Sequence, residues 1–140
     1  MWVLTSQWRP HELLLLGYGF LVGVATLVSD HEPDSIMAKV PGWLATLWAI
    51  AFIISGIAGI IGHVWRSQIM RSLRLELGGM LVGAGATLLY AFATVSVLHT
   101  WQGILGASIL GAWTGANLWR AGQIFTDLKR IKAAATGEQA

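Results

Sequence analysis

The side chains of this chain that could do acid–base, nucleophilic or ligand chemistry are few and scattered. The 140 residues include seven Asp or Glu, nine Lys or Arg, four His and no Cys. Lack of cysteine removes thiol nucleophiles, thiolate metal sites and disulfide exchange. No Ser, His and Asp fall together at one depth, no two carboxylates stand inside one apolar run, and no Gly-rich phosphate loop carries its lysine. The expectation is a protein that is not an enzyme and holds neither cofactor nor metal.

Three polar residues at the borders of apolar runs are the candidates for a working site: Glu76, Asn117 and Arg120. A carboxylate at a helix start is stabilised by the helix dipole, and Glu76 follows Arg74 by two positions. The plain reading is an interfacial ion pair with nearby arginines. The sharper one, a proton or cation site, is disfavoured by a position at the edge of a run. Asn117 precedes Arg120 by about one turn, and an asparagine in an apolar helix usually bonds to a neighbouring helix. Thr26, Thr46, Ser55, Thr87, Thr94, Ser96, Ser108 and Thr114 are expected to bond mostly to their own backbones, not to form a polar stripe. His31, Glu32, Asp34 and His99 share one side of the chain, His11 and His63 the other, and none shows a metal-ligand spacing.

The elements that must position these residues are apolar. Hydrophobic residues make up 55% of the chain and charged ones 11%, against about 25% charged in an ordinary soluble domain. Mean hydropathy is +0.63. Four runs, 13–29, 43–64, 77–98 and 103–119, contain no Asp, Glu, Lys or Arg. As helices the middle two reach about 33 Å, enough for a hydrocarbon core, and the outer two about 25 Å. Strands are excluded: open sheet edges cannot face lipid, and these runs do not alternate as a barrel requires. The expected fold is therefore all-α, a single-domain integral membrane four-helix bundle of antiparallel hairpins. The first run follows Pro10 and Glu12 and lacks a cleavage pattern, so it reads as a retained span.

Charge sets the expected orientation. Asp30, Glu32 and Asp34 lie in the first connection, whereas Arg66, Arg71 and Arg74 lie in the second, and Lys129, Arg130 and Lys132 in the tail. The positive-inside rule puts both termini, a basic loop at 65–76 and a tail at 120–140 in the cytoplasm. Those six basic residues should meet anionic lipid head groups, each for about 1 kcal/mol. Nucleic acid is not an expected partner, because the basic cluster is small and lies against the membrane. Trp2, Trp8, Trp43, Trp65, Trp101 and Trp119 mark span ends, while Trp48 and Trp113 lie deeper. Stripes of Ile124, Leu128 and Ile131, and of Trp65, Ile69 and Leu73, suggest helix continuing past the membrane.

Small residues recur at four-residue spacing: Gly19 and Gly23, Ser55 and Gly59, Gly79 and Gly83 with Thr87, and Ala107, Gly111 and Gly115. In lipid such faces let helix backbones approach closely. They either pack the bundle itself or join copies into a homo-oligomer.

The segments RSLRLELGGMLVGAGATLLY (71–90) and GAWTGANLWRAGQIFTDLKR (111–130) resemble small four-span membrane proteins of tailed actinobacterial phages, some of them holin-like. The resemblance covers mainly the second half and brings no catalytic residue. It implies residence in the bacterial cytoplasmic membrane and action by assembly. The leading expectation is thus a self-associating membrane protein that permeabilises the bilayer. A small ion channel or transporter, and an accessory or scaffold subunit of a larger membrane complex, are the alternatives.

Overall fold

A computed structural model describes residues 10–29, 41–65, 68–97 and 100–136. Among these residues there are four helices and no strand: α1 (Pro10–Val28), α2 (Gly42–Val64), α3 (Ile69–Val97) and α4 (Trp101–Thr136). The fold is an all-α four-helix bundle. Helix α1 packs on α2, α2 on α3 and α3 on α4. Each pair is antiparallel: Gly23 lies against Ala49 and Gly59 against Leu16, while Gly62 lies against Glu76 and Gly79 against Gly59.

Helices α2 and α3 are long and apolar enough to cross a membrane. Helix α1 is a shorter apolar helix, and α4 does not meet the same criterion. The expectation of four spans is therefore supported by length and composition for two. In α4, Gln102, Ser108, Thr114 and Asn117 dilute the apolar residues.

The basic segments are more helical than the charge pattern suggests. Helix α3 begins at Ile69 and takes in Arg71, Arg74 and Glu76, and α4 continues unbroken from Arg120 to Thr136. Apolar packing sustains these extensions. Leu73, Ala121 and Ile124 join Leu16 and Met80 in one buried cluster, with Leu128 and Ile131 packed against it.

Close approach of backbones dominates the interior. An ideal Cβ on Gly79 would lie 2.7 Å from the Gly59 amide nitrogen and 3.0 Å from the Ser55 carbonyl, and one on Gly23 2.7 Å from the Ala49 carbonyl. Only glycine allows such spacing, which suits association driven by van der Waals contact. Large apolar side chains point outward on every helix, among them Leu21, Ile54, Phe92 and Ile109. Trp43, Trp65, Trp101 and Trp119 are exposed, whereas Trp48 is buried edge-on to the Tyr90 ring at 4.8 Å. Trp113 of α4 packs near Tyr18 of α1 and Phe52 of α2.

Candidate functional site

At one end of the bundle the start of α1, the end of α2, the first turns of α3 and the middle of α4 meet. Each supplies one ionisable side chain: Glu12, His63, Glu76 and Arg120. Gly62 makes this convergence sterically feasible. Its ideal Cβ would lie 2.6 Å from the Glu76 amide nitrogen, so any larger residue would push α3 away. Ser72 ties the same place together by donating its hydroxyl to the Gly62 carbonyl.

Arg120 is the hub. Its Nε and Nη2 both donate to Glu76 Oε1, at 2.9 and 2.7 Å. Its Nε also lies 3.3 Å from Glu12 Oε2, and Nη1 donates weakly to Gln123 Oε1 at 3.5 Å. The Arg120 and Glu76 side chains are only 5% and 3% exposed, and Glu12 11%. Two charges so deeply desolvated depend on each other, since removing one leaves the other uncompensated at a cost of about 3–5 kcal/mol. The expected partner of Glu76 was a nearby arginine such as Arg74. The partner is instead 44 positions away, because Arg74 projects from the exposed side of α3.

Ligand atoms of Glu12, His63 and Glu76 lie within 4.8 Å of one another, a set that could hold a divalent cation. The Arg120 guanidinium contacts Glu76 and Glu12 of this set, so a cation would have to displace it. Arg120 supplies the positive charge in this arrangement.

Beside the cluster a cleft of about 350 Å³ opens between α1 and α4, with Met80 of α3 in its wall. Asn117 lines both this cleft and a much smaller inner cavity bordered by Ser55, Gly83 and Thr87. It is 7% exposed, and its amide makes no hydrogen bond among the described residues. The expected bond to a neighbouring helix is thus not formed. The amide nitrogen instead packs beside Gly83, 3.2 Å from where a Cβ there would stand.

Most of the hydroxyls bond to their own helices as expected, Thr87 to Gly83 and Thr114 to Leu110 among them. Thr26, Thr46, Thr94 and Ser108 do the same. Ser55 crosses to the Gly79 carbonyl at 2.8 Å, and Thr87 and Thr114 share a 2.7 Å hydrogen bond between α3 and α4. Together with Asn117 they make a buried polar column leading inward from the charged cluster.

Of the small-residue positions, Gly19, Gly23, Gly79 and Gly83 are buried at interfaces within the chain. Gly111 and Gly115 are exposed, and an ideal Cβ on either meets nothing within 4 Å. Arg71 and Arg74 project from α3, and Lys129, Arg130 and Lys132 from α4, all exposed. The ammonium of Lys129 stands 4.5 Å over the Phe125 ring. Trp2, Trp8, Arg66, His31, Glu32, Asp34, His99 and the side chain of His11 lie outside the described residues.

Sequence reasoning missed Glu12 and His63 as members of the cluster. One signal was present: the side chains three and four positions from Arg120 are Ala116, Asn117, Gln123 and Ile124, none of them acidic. An arginine without a local partner, next to an apolar run, needs a carboxylate from another helix.

Fold and site define a helical bundle that encloses an ionic cluster and a polar column within an apolar exterior. Compared with protein families, curated proteins and solved structures, the chain finds no match in any of the three. The phage-protein resemblance therefore gains no support from these comparisons.

Proposed function

We propose that the chain is a multi-pass protein of the bacterial cytoplasmic membrane, with both termini inside, that works by associating with further copies of itself and not by covalent chemistry. Permeabilisation of the bilayer on assembly is the action this reading entails. The observation that carries it is the outer face of α4. Gly111 and Gly122 are exposed there with no atom near their missing Cβ, between the exposed Ile104, Leu118 and Phe125. Glycine in a helix costs about 0.8–1 kcal/mol relative to alanine. Gly23, Gly56, Gly62 and Gly79 offset this through contacts inside the chain, whereas Gly17, Gly78, Gly85 and Gly115 stand as open as Gly111 and Gly122. Contact with a second α4 would offset it for Gly111 and Gly122. Anionic lipids would engage the exposed Arg71, Arg74, Lys129, Arg130 and Lys132 at the cytoplasmic end.

The test is the mass of the detergent-solubilised protein. The natural chain should form a homo-oligomer, and Gly111→Leu should reduce it to monomer with its helix content intact. A monomer at every concentration would remove the self-association reading. Induced expression then tests permeabilisation: bacteria that retain their membrane potential at high protein levels would rule it out.

The buried polar column favours a second reading, a small ion channel or transporter. Glu12, Arg120, Asn117, Ser55, Thr87 and Thr114 border a cleft and an inner cavity or bond across them. Proteoliposome flux that vanishes with Glu76→Gln and Asn117→Leu would support it, and flux indifferent to both would oppose it.

A further inference from the structure

We propose that the cleft between α1 and α4 is a binding site for a small membrane-soluble amphiphile with a neutral, hydrogen-bonding head, such as a hydroxyl or carbonyl compound. The inference rests on the membrane reading above and not on self-association. Asn117 supplies the first observation. The residue is more than nine-tenths buried, lines the cleft and makes no side-chain hydrogen bond among the described residues. An amide offers two donors and an acceptor, and here they can be met only from the cleft it lines. A ligand hydroxyl or carbonyl would satisfy them.

Shape and lining supply the second. At about 350 Å³ the cleft lies within the range of small-molecule sites, and beyond its polar end it is walled by Leu15, Met80 and Trp119. Gly115 and Ala116 carry no bulk into it, which leaves room for a slender apolar body. Because α1 and α4 meet through side chains and not through packed backbones, a molecule dissolved in the bilayer could enter sideways. The head should be neutral. The charged groups at the end of the cleft already engage one another, Arg120 with Glu76 and with Glu12, so a charged head would have to break a buried pair.

The probe is a medium-chain monoacylglycerol carrying a diazirine, applied to the full chain in liposomes, photolysed, and its attachment mapped by mass spectrometry. Labelling should saturate, fall on the α1 and α4 peptides around Leu15 and Trp119, and be competed by the unmodified monoacylglycerol. Ala116→Phe fills the cleft from an exposed position outside the Gly111–Gly122 face, and should abolish the saturable labelling with oligomer mass unchanged. Asn117→Leu should weaken competition about fivefold, the worth of one hydrogen bond. Unsaturable labelling spread over all four helices would overturn the proposal. So would labelling unaffected by Ala116→Phe, or stronger saturable labelling by probes with phosphate or ammonium heads. Release of the protein from membranes by alkaline carbonate would show separately that the membrane reading had failed.

Discussion

Arg120 on α4 and Glu76 on α3 meet through two hydrogen bonds to a single carboxylate oxygen, in a place where neither side chain is more than 5% exposed. Both bonds fall on Oε1 while the same guanidinium approaches Glu12 on α1, so one arginine joins three helices. The pair lies where Gly62 admits α3 against α2. Stability and any movement of the bundle at this end depend on it.

Removing either partner alone should therefore be severe. Glu76→Met or Arg120→Met is expected to cost about 3–5 kcal/mol, because the first leaves the arginine only the looser Glu12 contact and the second leaves two carboxylates uncompensated. The double variant Glu76→Met with Arg120→Met should lose much less than the sum of the single losses. Reversible unfolding of the detergent-solubilised protein by denaturant measures all of these, and simple additivity would show that the two residues do not act as a pair.

Glu12 makes the looser contact, 3.3 Å from Arg120 and at the start of α1. Glu12→Gln should leave the Glu76–Arg120 pair intact while freeing α1 from α4, since their backbones do not pack together. The chain has no cysteine, so spin labels can be placed at Leu14 and Gly122 without background. The interlabel distance distribution should broaden in the variant, and an unchanged distribution would mean that this contact does not hold α1.

Glycines of the two classes should respond oppositely to alanine. Gly79→Ala drives a Cβ against the Gly59 backbone and should cost about 1–3 kcal/mol. Gly111→Ala meets nothing within 4 Å and should stabilise the isolated chain by about 0.8–1 kcal/mol through helix propensity. Melting of both variants in detergent, dilute enough to keep the chain monomeric, distinguishes them. Equal effects would mean that the exposed and buried glycines do the same work.

The hydroxyl contact between Thr87 and Thr114 should be worth little. Each threonine also bonds to its own helix, Thr87 to Gly83 and Thr114 to Leu110, so loss of the shared bond strands neither hydroxyl. The coupling from a Thr87→Val, Thr114→Val double-mutant cycle should be about 0.6 kcal/mol. A coupling of several kcal/mol would give this contact a structural weight that its geometry does not suggest.

Much of the architecture was legible before any coordinates. Helices were implied because uncharged runs of this length must satisfy their own backbone groups. Among the described residues the fold is all-helical, with each run falling on one helix, the first as far as Val28 and the third as far as Val97. Close packing through glycine was implied at Gly19, Gly23, Gly79 and Gly83, since spacing by four places residues on one helix face. The extended α3 and α4 were legible only faintly, in the Ile124, Leu128 and Ile131 stripe, because their charged residues read locally as loop and tail.

Tertiary structure alone decided which residues meet. Periodicity assigns a residue to a face of its own helix but does not say which face of another helix it will touch. Glu12, His63, Glu76 and Arg120 come from four helices, and their convergence depends on helix register and crossing, which glycines such as Gly62 set by permitting contact at one height. For the same reason Asn117 could be recognised as a polar residue in an apolar run, but not as one facing a cleft. Whether its amide finds a partner depends on how the neighbouring helices are spaced around it, and no local sequence encodes that spacing.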